Sequence, residues 1–172
     1  GSTTSQNIGP LPFSPAFALA GYSGKLLSAD AYDEHHITQS GPLAQKYSKL
    51  NLTVNSVQDS VQAVVMHHYS GPEGIIPSWA DFRLSQNHYW TVQITDESKV
   101  DISARLDYRG GANGLDDDLV SQTEDSLQVL WRKDASQPWE LYRHQTKTDI
   151  GGPTNGIGRF DLDSLRSGDY VL

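Results

Sequence analysis

The stretch DISARLDYRG, residues 101–110, alternates strictly between apolar and polar side chains. Ile102, Ala104, Leu106 and Tyr108 fall on one side, and Asp101, Ser103, Arg105 and Asp107 on the other. Successive side chains of a strand point to opposite faces, so this pattern describes a half-buried β-strand with a polar outer side. Downstream, SLQVLWR (126–132) sets Leu127, Val129 and Trp131 against Gln128, Leu130 and Arg132. WELYRHQ (139–145) follows after the polar KDASQP (133–138), and the two segments predict a hairpin. Upstream, NLTVNSV (51–57), SVQAVVMHHY (60–69) and NHYWTVQI (87–94) are β-branched and aromatic runs separated by Gly, Pro, Asn and Asp clusters. GRFDL (158–162) and GDYVL (168–172) add two short strands at the end.

Helical periodicity is nearly absent; GLDDDLVS (114–121) and DLDSLRSG (161–168) each suit a single turn. About eight to ten strands at this spacing of turn signals predict an all-β fold, an antiparallel β-sandwich of jelly-roll or Ig-like type with minimal helix. Its core is expected to hold Ile102, Leu106, Leu127, Val129, Trp131 and Leu141. Residues 1–22, with three prolines in GPLPFSPAF (9–17), are expected to form an extended lead-in, and 23–172 a single sandwich domain.

At 172 residues the chain suits one domain, and its 15 glycines, 8 prolines and 37% apolar content suit many turns and exposed strand faces. Thirteen basic against 21 acidic residues give a net charge of −8, which repels phosphate backbones and anionic lipid; no nucleic-acid partner is expected. The absence of cysteine excludes disulfides and thiolate-bound zinc. Runs such as AFALA and AVVM are far too short to span a membrane. Gly1-Ser2 reads as a cloning remnant with no signal peptide after it, so the chain is expected to be an excised piece of a longer protein.

Three constellations invite chemistry. The first is the pair of double histidines in VVMHHYSGP (64–72) and DEHHITQSGP (33–42). Neighbours on a regular strand diverge, so neither His67 with His68 nor His35 with His36 can share a metal; a zinc site would need one from each pair plus His88 or Glu34. The alternative is packed or hydrogen-bonded strand histidines. With Val64 and Met66 marking the inner face, His68 is expected at the core's edge and His67 facing outward. The second is GANGLDDDL (111–119), where Asn113, Asp116, Asp117 and Asp118 offer hard oxygen ligands for calcium. Their spacing departs from the EF-hand pattern, and a solvated turn whose aspartates cap a short helical segment is the competing reading. The third is aromatic: Trp79, after GIIPS (74–78), is the candidate for an exposed ligand-binding ring. With no nucleophile elbow, phosphate loop or dinucleotide fingerprint, no catalytic residue is assigned.

HHITQSGPLAQKYSKLNLTVNSVQDSVQAVVMHHYSGPEG (35–74), RLSQNHYWTV (83–92), EDSLQVLWRKDASQPWELYR (124–143) and GRFDLDSLRSGDYVL (158–172) together carry a resemblance. They are similar to a β-sandwich region downstream of the catalytic domain in secreted gluzincin aminopeptidases of Bacteroidetes bacteria. The resemblance implies an extracellular or cell-surface location and a non-catalytic accessory role: supporting or spacing the catalytic domain of the same chain, or contacting a surface glycan or protein. The family's zinc-binding H-E-x-x-H motif has no counterpart here, so none of its catalytic residues carries over and no cofactor is expected beyond calcium at 113–118. A carbohydrate- or ligand-binding module is the alternative function, and a small metal-dependent hydrolase using the histidines is a third.

Overall fold

The computed structural model describes residues 31–172 except 75, 79, 112, 113, 121–123 and 153. The expected lead-in at 1–22 therefore lies outside the described residues. The described chain is nearly all β. Its strands are β1 (Ala31–Ile37), β2 (Gly41–Pro42), β3 (Leu50–Val57), β4 (Val61–His68), β5 (Tyr89–Ile94), β6 (Val100–Arg109), β7 (Leu130–Arg132), β8 (Glu140–Leu141), β9 (Gln145–Asp149), β10 (Ile157–Leu162) and β11 (Gly168–Val171). One short 3-10 turn, Glu97–Lys99, precedes β6 and is capped by the Asp96 side chain.

Two antiparallel sheets result, a six-stranded one in the order β1-β4-β5-β11-β7-β8 and a five-stranded one in the order β2-β3-β6-β10-β9. They form a β-sandwich, as the alternation predicts. β6 behaves as read: Ile102, Ala104, Leu106 and Tyr108 are buried and the intervening residues face out. These side chains join Leu50, Leu52 and Val54 of β3 and Phe160 and Leu162 of β10. Opposite them stand Val61, Ala63 and Val65 of β4, Trp90 and Val92 of β5, and Tyr170 of β11.

The expected hairpin of β7 and β8 forms, with Leu130 opposite Leu141 and Trp131 opposite Glu140. Val129 is fully buried, while Leu127 and Trp131 are half-buried against the core. Leu141 departs from expectation: it is 49% exposed. Its pairing with Leu130 turns it to the outer face at the very edge of the sheet, and Tyr142 takes the inward position, its N–H bonded to the Val129 carbonyl at 3.0 Å.

Three aromatic side chains brace the strand ends of the sandwich. The Tyr170 hydroxyl accepts from Arg166 N at 2.9 Å and donates to Arg166 O at 2.8 Å, the local brace of a tyrosine corner. Burial and the neighbouring Tyr142 push this phenol well above its ordinary pKa. Tyr108 lies across its strand partner Gly158, so closely that a Cβ there would collide with the ring and hydroxyl. Trp131 covers Gly168 in the same way. Beneath Tyr108, its hydroxyl meets the carboxylates of Glu124, which is fully buried, and Asp149 at 2.9 Å. That anchoring leaves the ring little room to yield. Gly158→Ala is therefore expected to destabilise the fold by about 1–3 kcal/mol, the usual range for overpacking. Chemical denaturation checks this, and an unchanged midpoint would show that Tyr108 can vacate its place.

Candidate functional site

β4 ends in His67 and His68, and both are buried: His67 is 0% and His68 2% exposed. The two rings diverge, as strand geometry requires. The faces are the reverse of the expected ones. Val61, Ala63, Val65 and His67 look toward the opposing sheet, and Val64, Met66 and His68 look away from it. The expectation failed because this second face is also covered, so Val64 and Met66 are fully buried without belonging to the inter-sheet core. On the same face, beside His68, lies a smaller cluster of Leu84, Leu130, Trp139 and Val171, with Phe82 and Tyr89 against it and the Tyr89 ring stacked on His68.

On the inner face a chain of hydrogen bonds runs from an acid through two imidazoles. His67 Nε2 lies 2.9 Å from His88 Nδ1, and His88 Nε2 lies 2.7 Å from Asp116 Oδ1. All three side chains are buried. A carboxylate oxygen accepts, so His88 carries a proton on Nε2; with a neutral His88 ring, Nδ1 accepts and His67 donates from Nε2. The chain closes on His67 Nδ1, a buried nitrogen with no hydrogen-bond partner among the described residues. The His67 ring stacks on Trp90 with centroids 4.8 Å apart and leans on Tyr69 at 4.4 Å. Asp116 Oδ2 accepts from Arg109 N at 2.7 Å, which ties the acid to the end of β6.

On the outer face His68 Nε2 is 3.1 Å from Thr91 Oγ1, which donates to Asp169 Oδ1 at 2.7 Å. Asp169 Oδ2 accepts from Arg132 Nε at 2.8 Å, and the guanidinium lies over the Trp139 ring, 4.4 Å from its centroid. This buried ion pair is bonded at every step, the condition under which a desolvated pair is tolerated.

The aspartates read as calcium ligands divide between these structures. Asp116 belongs to the imidazole chain. Asp118 accepts from Gln86 N at 2.6 Å and from Asn87 Nδ2 at 3.1 Å, so the acidic loop clamps the segment that carries His88. Asp117 is exposed, and Asn113 lies outside the described residues, as does Trp79. Among the described residues no group of three His, Asp or Glu side chains is placed to hold a metal ion. In the upstream pair, His36 Nε2 meets Ser60 Oγ at 2.5 Å, while His35 is half-buried and its pKa is lowered by that burial.

Asp33 was not singled out by its sequence, and it organises a loop. Its carboxylate, 5% exposed, accepts from Lys46 N at 3.1 Å, Tyr47 N at 3.1 Å, Ser48 N at 2.8 Å and Ser48 Oγ at 2.7 Å. Burial opposes its charge, yet the bonds from Ser48, Tyr47 and Lys46 together outweigh that cost and hold its pKa below the ordinary value. Trp90 Nε1 donates to Ser48 O at 2.7 Å, and Lys49 sits at φ 57°, in the left-handed region. The available signal was an acid at an inward position of AYDEHHI, between Ala31 and His35, where a buried charge needs several donors. Compared with family models, curated proteins and solved structures, the chain matches none of them.

Burial, and then the nearby His88, Lys49 and His68, lower the His67 pKa from 6.5 to about 3. Between those values the unfolded chain takes up a proton that the folded chain refuses. The contribution is therefore fully present above pH 6.5 and is lost as pH falls toward 3, at about 1.4 kcal/mol per pH unit. His67→Gln is expected to flatten the acid side of the stability–pH profile by about that slope. His67→Ala at neutral pH is expected to cost about 1–3 kcal/mol by leaving His88 Nδ1 without its partner, no less than His68→Ala. Urea denaturation from pH 7 to 4 checks both, and a parent and variant with parallel profiles would contradict the burial of a neutral ring.

Proposed function

We propose that this chain works as a non-catalytic β-sandwich module of a secreted or cell-surface zinc peptidase, where it supports or spaces the catalytic domain or makes surface contacts. One observation carries the non-catalytic part. The side chains with the most catalytic potential, His67, His88 and Asp116, are buried and bonded to one another inside the fold. A carboxylate–imidazole pair serves catalysis when it activates a nucleophile, as in acyl-transfer triads. Here the third member is another imidazole, stacked on Trp90. The pair spends its hydrogen bonds on joining the segment before β5 to β4 and to the end of β6.

The peptidase setting is supported by the resemblance of residues 35–74, 83–92, 124–143 and 158–172 to the sandwich region of the aminopeptidases. The catalytic domain of the same chain is the expected partner. A sandwich whose strand ends are joined by buried polar networks is suited to act as a spacer.

The purified chain is expected to show no turnover of aminoacyl-nitroanilide or peptide substrates, with zinc added or chelated. Turnover abolished by His67→Ala or His88→Ala would overturn the reading. The coding sequence around this chain is expected to contain an upstream H-E-x-x-H domain; a different neighbour there would remove the peptidase setting while leaving the module non-catalytic.

A further inference from the structure

At β1, an outermost strand of the six-stranded sheet among the described residues, Ala31, Tyr32 and Glu34 line an open cleft of about 410 Å³ together with Ala44, Lys46 and Tyr47 of the following loop and with Asp33. That volume falls within the range of small-ligand pockets, roughly 300–1,000 Å³. Tyr47 stands 61% exposed, the highest exposure of any large apolar or aromatic side chain among the described residues.

The loop presenting Tyr47 is held by hydrogen bonds on both sides of the ring. Asp33 binds three successive backbone N–H groups, those of Lys46, Tyr47 and Ser48. The Trp90 indole holds the Ser48 carbonyl at 2.7 Å, and Lys49 is locked at φ 57°. Non-glycine residues adopt that conformation only when their surroundings impose it, at a cost of about 1–3 kcal/mol, and such positions gather at ligand-binding segments. A pre-ordered loop pays its ordering entropy on folding and not on binding. The fold thus uses a buried acid, an indole and a strained residue to present one solvent-facing ring.

The lining chemistry selects the ligand class. Tyr47 and Tyr32 offer apolar ring surface with polar tips. Lys46 supplies up to three donors and Glu34 only acceptors, so hydroxyls can be met in both roles. Glu34 and the ionised Asp33 outnumber Lys46 in the lining, and the chain's net charge is −8, so an anion is repelled. The Asp33 carboxylate is already occupied by the N–H groups of Lys46, Tyr47 and Ser48, which leaves Glu34 and Lys46 as the opposed pair that meets a ligand. An uncharged, polyhydroxylated ring with one C–H-rich face satisfies all of these groups.

We propose that this cleft is a binding site for a neutral pyranose saccharide, with Tyr47 as the stacking platform and Lys46 and Glu34 as hydroxyl partners. The site goes beyond the accessory reading and does not depend on the peptidase setting. Either can fail alone, because one is read by binding and the other by turnover and gene context.

The test is an amide-resolved NMR titration of the whole chain with soluble gluco-, manno-, xylo- and chito-oligosaccharides, each taken to about 5 mM so that a millimolar site is mostly filled. At least one of them is expected to shift the amides of Lys46, Tyr47 and Ser48 saturably. Tyr47→Ala is expected to weaken that binding about tenfold, and Tyr47→Phe to retain it, since the stacking face is kept. Amides elsewhere in Tyr47→Ala should stay in place, because the side chain projects into solvent. No saturable shift with any of the four would overturn the proposal. So would binding indifferent to Tyr47→Ala, or shifts of these amides by a mixed Gly-Ser-Lys-Glu peptide and by no saccharide, which would assign the cleft to protein contacts.

Discussion

A strand buried on both faces cannot carry a polar side chain without a partner, and β4 ends in two of them. An unpaired buried imidazole costs about 1–3 kcal/mol, a large fraction of a domain's net stability. Most of the irregular structure at this end of the sandwich answers that constraint. The segment before β5 brings in His88, the acidic loop after β6 brings in Asp116, and β5 with β11 supplies Thr91 and Asp169 on the other side.

Acidic side chains carry much of this stitching. Asp33, Asp116 and Asp118 each accept backbone N–H groups from segments distant in sequence or at a strand end, and Glu124 accepts from Gly156 N at 3.0 Å. Part of the chain's acidity is thus spent inside, on loops whose own backbone has no ladder to join. The same economy explains why the functional reading moves away from the histidines. Their hydrogen bonds are made within the fold, and His67 stacks on the same Trp90 whose indole holds the loop at 46–48.

Where one face of a strand is wet, the sequence states its orientation outright. β6 is the clearest case, because aspartate and arginine cannot trade places with Leu106 and Ile102 without burying charge. The two-sheet architecture and the β7–β8 hairpin followed from such runs. In VVMHH neither face is wet, the apolar residues on both sides are equivalent, and the direction of His67 had no local cue. Leu141 failed for a related reason: a two-residue edge strand is oriented by its partner, Leu130, and not by its own neighbours.

That adjacent histidines diverge was determined by the sequence alone, since the two-residue period of a strand is a property of the backbone. So was the conclusion that His67 and His68 share no metal. Which acid meets which imidazole was decided only by the tertiary structure. His88 and Asp116 are 28 residues apart, Asp33 and Ser48 15, and Thr91 and Asp169 78. Hydrogen bonds across such separations leave no periodic trace in the chain, because their geometry is set by which strands pair and where the loops are laid, not by the residues beside them.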